Sequence, residues 1–135
     1  MLGSRAAEIS FESGSLLDRE RLHAVCVSRG VTRIIHLAAL LTPACQHDPW
    51  LGFQVNVTGS MSLFELARVL APKLAGFSYA SSFAVYGPES DDAPETGGAM
   101  QNRPTSFYGA FKQSVDLIAE QYWRQIGRAS CRERV

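Results

Sequence analysis

Tyr108 and Lys112 stand four residues apart in a segment, 107–124, whose apolar residues Phe111, Val115, Ile118, Ala119 and Tyr122 recur at helical spacing. The two side chains therefore share one helix face. A free phenol, with a pKa of about 10, is a poor acid or base at neutral pH, and an ammonium a few ångströms away favours its ionised form. Such a pair is a proton-transfer unit. Its plain structural rival is a solvated lysine beside a packing tyrosine. Ser82 ends an apolar run, GFSYASS (76–82), where a hydroxyl can hydrogen-bond a substrate oxygen as its charge changes. Ser81 and Ser82 are equally good turn formers. No GxSxG elbow surrounds them and neither His23 nor His47 is tied to a nucleophile by a motif, which disfavours a serine hydrolase. His36, inside the apolar run 31–39, suits a satisfied interior histidine better than a ligand, and no His/Cys/Asp/Glu cluster has metal-binding spacing.

These groups need elements to hold them. Residues 7–12 (AEISFE) alternate like a short strand, closed by a turn at Ser13, Gly14 and Ser15. Asp18 is placed to cap a helix with Leu22, Val25 and Cys26 on its apolar face, stapled by Leu17 and stopped at Gly30. Residues 31–39, apolar on both faces, predict a parallel strand covered from both sides, followed by a loop, LLTPACQH (40–47). Asp48 and Pro49 open a long helix reaching Leu70, with Phe53, Val57, Phe64, Ala67 and Leu70 inward, and Pro72 ends it. Residues 76–82 predict a second buried strand, and 85–106, rich in Gly, Pro and acids, a loop. Strand, helix, strand, helix, strand, helix is the order of a doubly wound parallel α/β sheet, whose sites lie beyond the carboxyl ends of the strands.

The charge balance, 13 Lys+Arg against 13 Asp+Glu with no basic run, excludes the electrostatic footprint of a nucleic-acid or anionic-membrane binder. The longest apolar stretch, 34–41, is far short of the ~20 residues that span a bilayer, and MLGSRAAEIS lacks the apolar core of a signal peptide. Cys26, Cys45 and Cys131 form neither a disulfide framework nor a CxxC pattern, so a reducing, cytoplasmic setting is expected.

Taken in order, HLAA (36–39), NVTG (56–59), YASSFAVYG (79–87) and YGAFK (108–112) resemble the extended short-chain dehydrogenase/reductases, the NAD-dependent epimerase/dehydratase family. The resemblance covers about residues 7–124. It implies a Rossmann-like domain using NAD or NADP, with Tyr108 as catalytic acid/base, Lys112 supporting it and bonding the nicotinamide ribose, and Ser82 orienting a substrate hydroxyl or carbonyl. Leu37, Ala38 and Ala39 would lie along the cofactor and Asn56 in the helix bordering it. Ser15 and Leu16 would stand near the adenine, although the family's usual Asp after Gly14 is replaced by Ser15. The family's sugar-nucleotide dehydratases carry an Asp-Glu pair where this chain has Phe83 and Ala84, which favours epimerisation or alcohol/ketone redox chemistry on a small-molecule substrate such as a nucleotide sugar. A rival of another class is a nucleotide-sensing or scaffold protein of the same fold. The family's habit of pairing its last helix with the long helix implies a homodimeric parent, with Phe64, Tyr122 and Trp123 at the interface or in the core.

The eleven glycines contain no GxGxxG or GxxGxxG, so the pyrophosphate-binding turn and its first strand and helix are missing from this reading. The last ten residues, IGRASCRERV, carry three Arg without apolar periodicity and are identical to one reading frame of a sequencing adapter. The expectation is a partial NAD(P)-binding domain over 1–125, lacking the first βα unit and the C-terminal substrate region, and a non-native tail over 126–135. Such a chain alone is expected to be inactive.

Overall fold

The computed structural model describes residues 9–87, 103–126 and 130–133. Three parallel strands, β1 (Arg33–His36), β2 (Gly76–Ala80) and β3 (Ser130–Glu133), form one sheet in the order β1-β2-β3. Helix α1 (Arg19–Ser28) precedes β1. Helices α2 (Thr42–His47) and α3 (Pro49–Phe53), a π-helical turn (Gln54–Thr58) and α4 (Gly59–Leu70) connect β1 to β2. A 3-10 turn (Phe83–Val85) and α5 (Phe107–Ile126) follow β2.

The helix ends are written in the sequence. The Asp18 carboxylate accepts from the Arg21 N–H at 3.1 Å, and Asp48 accepts from Leu51 N–H at 2.9 Å with Pro49 at the first helical position. At the far end of α1, Gly30 adopts φ +61°. There Val31 N–H returns to the Cys26 carbonyl at 2.9 Å and Gly30 N–H to Val27 at 3.1 Å, which satisfies carbonyls the helix would leave open.

The core lies on one face of the sheet. Ile34 stands opposite Phe77, and His36 opposite Tyr79, so these four project to the same side. Against them pack Val57, Leu63, Phe64 and Ala67 from the long helix, Val115 from α5, and Leu16, Leu22 and Cys26 around α1. The Phe64 ring lies 5.4 Å from Phe77 and 5.4 Å from Tyr122, centre to centre. Such pairs add about 0.5–1.5 kcal/mol each beyond simple burial. Phe64 is thus core, Tyr122 is half-buried against it, and Trp123 is 51% exposed.

Four sequence expectations change. Residues 9–12 are not a strand: with Ile9 and Phe11 exposed, they find no ladder partner among the described residues, and alternation alone supplies none. The β1 strand is shorter than 31–39 and covered on one side only, because Ile35 and Leu37, 71% and 69% exposed, face no packed element among the described residues. The segment 40–47 contains α2 instead of a plain loop, since Pro43 pre-sets its first turn and Cys45, fully buried, anchors it. Finally α5 continues to Ile126, and the backbone of Ser130–Glu133 lies parallel to β2, with Phe77 opposite Ser130. A backbone ladder needs no apolar periodicity, which is why composition gave no hint of this strand. Of the loop expected over 85–106, residues 88–102 lie outside the described set.

Candidate active site at the carboxyl end of the sheet

Beyond β2 the chain passes through Ser81, which is buried, and Ser82, which is extended (φ −150°, ψ 150°) and half-buried. The Ser82 hydroxyl oxygen accepts from the Ala84 N–H at 3.2 Å and so starts the 3-10 turn. That leaves the hydroxyl proton available to donate.

Helix α5 meets this turn at its own first turn. The Ser106 hydroxyl accepts from the Gly109 N–H at 3.1 Å, and the Phe107 N–H donates to Gln46 Oε1 at 2.8 Å, fixing the helix start against α2. Gly109 is indispensable to the contact. A Cβ there would stand 2.8 Å from Pro104 Cβ and 3.0 Å from the Ala84 carbonyl carbon, with the Ala84 oxygen closer still. The missing side chain lets the turn carrying Ser82 sit directly on the turn carrying Tyr108.

One turn further along, Lys112 is only 4% exposed. Its ammonium donates to the Ala80 carbonyl at 2.8 Å, lies 4.8 Å from the centre of the Tyr79 ring and 5.9 Å from that of Tyr108. Burial pulls Lys112 below the ordinary lysine range, and the Asp116 carboxylate pushes it back up. Asp116, also buried, accepts from the Ser81 hydroxyl at 2.7 Å.

On the β1 side, His36 shares a 2.9 Å hydrogen bond with the Ser60 hydroxyl, and its ring lies 5.6 Å from Tyr79. Burial first and the Lys112 ammonium second push His36 down to about 4, so it is a neutral interior group. Beyond β1, Leu37 and Ala38 are exposed and Ala39 is half-buried. The loop after them is held by Asn56, whose amide accepts from Leu40 N–H at 2.8 Å and donates to the Leu40 carbonyl at 2.9 Å. Asn56 is 3% exposed and acts on the site through this loop.

Tyr108, Lys112 and Ser82 are therefore gathered at one end of the sheet, with Leu37, Ala38 and Ala39 beyond the neighbouring strand. Ser15 caps a turn before α1, accepting from Leu17 N–H at 3.2 Å, while Leu16 packs into the core against Gly59. Sequence reasoning missed Gly109 and Asp116. The second was findable, because it stands four residues after Lys112 on the same helix face. Among the described residues no three metal-binding side chains converge, and no helix is long and apolar enough to cross a membrane. A groove between α1 and α4, bordered by Arg19, His23, Glu65 and Val69, shares none of the site residues.

Comparison with known proteins gives the arrangement its context. Over 125 residues the chain is 30% identical to an uncharacterized epimerase/dehydratase of Staphylococcus saprophyticus, covering 93% of this chain and 38% of that one. It is similar to a GalE-like L-threonine dehydrogenase from Cupriavidus necator in its holo form (TM-score 0.82, 28% identity, 96% of this chain and 42% of that one). It is similar too to UDP-glucose 4-epimerase from Brucella ovis in complex with NAD (TM-score 0.77, 26% identity, 93% and 38%). The chain thus spans less than half the length of these relatives, and shares with them part of a Rossmann-like fold. The model of the NAD dependent epimerase/dehydratase family matches residues 3–132, and the chain belongs to that family.

Proposed function

We propose that these residues form part of an NAD(P)-dependent oxidoreductase or sugar-nucleotide epimerase acting at a hydroxyl or carbonyl carbon. The observation that carries this reading is the Lys112 ammonium, buried and anchored on the Ala80 carbonyl, beside a half-buried Tyr108. A buried cation held at a fixed place serves a neighbouring group whose charge changes. Ser82, its oxygen already accepting from Ala84 N–H, would hydrogen-bond the substrate oxygen through its hydroxyl while keeping its proton, and Tyr108 would take or return the proton of that oxygen.

The residues present fit part of a nicotinamide dinucleotide. Exposed Leu37 and Ala38 offer an apolar edge, and Tyr108 and Lys112 offer polar donors, while the sequence holds no glycine-rich turn for the phosphates. When bound, the cofactor would supply a hydride acceptor. Cofactor affinity and turnover from these 135 residues alone are accordingly expected to be weak or absent. Phe83 and Ala84 follow Ser82 where the family's dehydratases carry an Asp-Glu pair, which favours redox or epimerisation over dehydration. The exposed aromatic row of Trp50, Phe53 and Phe107 on α3 and α5 supports pairing of these helices with a second copy.

The test is Tyr108→Phe in the protein that carries these residues. Turnover should fall by about 10²–10⁴-fold with cofactor affinity kept. Undiminished turnover sinks the assignment, and a chain that signals on nucleotide binding without turnover is the scaffold rival.

A further inference from the structure

The proton-transfer reading uses Tyr108, Lys112 and Ser82, yet it leaves two buried polar side chains beside them without a role. Ser81 is 5% exposed and Asp116 4% exposed, and the serine hydroxyl donates to the carboxylate at 2.7 Å across the junction between β2 and α5. Asp116 follows Lys112 by one helical turn on the same face. Ser81 adjoins both Ala80, whose carbonyl accepts the Lys112 ammonium at 2.8 Å, and Ser82. A buried carboxylate needs hydrogen-bond donors, and here the Ser81 hydroxyl supplies one from the end of the neighbouring strand.

We propose that Ser81 and Asp116 form a positioning pair: the carboxylate, fixed by the serine hydroxyl, holds the buried Lys112 ammonium on the Ala80 carbonyl and ties the strand end bearing Ser82 to the helix bearing Tyr108. The proposal rests on the proton-transfer reading for its purpose, but its geometry stands apart from it. The groups facing Lys112 are Asp116 and Tyr108 on α5, Tyr79 on β2 and neutral His36 on β1, so among the described residues Asp116 is the anion of the cluster.

The chain has two lysines, Lys73 and Lys112, so lysine labelled with carbon-13 gives two side-chain signals and an internal reference. In Asp116→Asn the Lys112 titration should fall by about one pH unit or more, a tenfold change. Asp116→Glu should restore most of it. Ser81→Ala, which frees the carboxylate from the strand end, should move the Lys112 titration in the same direction by a smaller amount, and serves if Asp116→Asn does not fold. A Lys112 titration unmoved in Asp116→Asn, or unmoved in Ser81→Ala, overturns the proposal. Neither readout depends on turnover. Full activity of Tyr108→Phe would defeat the functional reading and leave this titration result standing.

Discussion

Replacing Gly109 by alanine sets two magnitudes against each other. At an open helical position the change stabilises by about 1 kcal/mol, because alanine loses less backbone freedom. Here the new methyl would lie 2.8 Å from Pro104 Cβ and 3.0 Å from the Ala84 carbonyl carbon. Overfilling a packed site costs about 1–3 kcal/mol, and the upper end applies because a backbone carbonyl and a proline ring cannot rotate aside. The expected net loss is about 2 kcal/mol. With a urea slope of about 1–3 kcal/mol per molar for a small protein, the midpoint should drop by roughly 1 M. The assay is urea unfolding followed by Trp50 and Trp123 fluorescence. The neighbouring Ala110→Gly is the control, expected to lose about 1 kcal/mol from helix propensity alone. To relieve the contact the first turn of α5 must withdraw from Ala84, and a displacement of about 1 Å between reacting groups costs on the order of 10²-fold in rate. In the enzyme that carries these residues, turnover of the variant should fall accordingly. A Gly109→Ala protein as stable as wild type, or more so, refutes the close-approach argument.

Asn56→Ala removes the acceptor of the Leu40 N–H and one of the two donors to its carbonyl, the other being the Cys45 thiol at 3.3 Å, so unfolding measurements should show a loss of about 1–3 kcal/mol; a loss under half a kcal/mol would mean that the loop does not depend on this amide. His36 moves from an ordinary 6.5 to about 4 in the fold, so the unfolded chain binds its proton first as pH falls. The stability tied to this depressed value is fully present above pH 6.5 and is lost on the way down through pH 4, by up to about 3 kcal/mol. Stability measured against pH should show that acid slope in wild type and a flatter one in His36→Gln, and identical slopes would refute it.

Much of this molecule was legible where the signal is local. Asp18, Asp48, Pro49 and Gly30 mark helix ends through chemistry confined to one turn, and the structure places caps and stops at those residues. The face shared by Tyr108 and Lys112 followed from spacing alone. What remained hidden depends on partners distant in sequence. Residues 9–12 alternate as a strand should, yet pairing is a property of the neighbour as well. Ile35 and Leu37 advertise burial that no described element provides. The need for Gly109 lies in an Ala84 carbonyl twenty-five residues earlier, which no window around the glycine contains. The Ser81 to Asp116 bond likewise joins residues that only the packing of α5 onto β2 brings together.

The π-helical turn at Gln54–Thr58, where the Gly59 N–H reaches back five residues to the Gln54 carbonyl, has a consequence for how this gene can change. Deleting one codon inside the turn would yield a regular α-helix of respectable composition. It would also rotate everything upstream by about 100° relative to α4. Asn56 would swing off Leu40, and the bond from the Ser60 hydroxyl to the Asn56 carbonyl, which links the helix to His36, would lose its acceptor. Substitutions at exposed Thr58 leave that geometry alone. Length is therefore under tighter constraint than residue identity in this stretch, and natural variation should show point changes there where single-residue gaps are not tolerated.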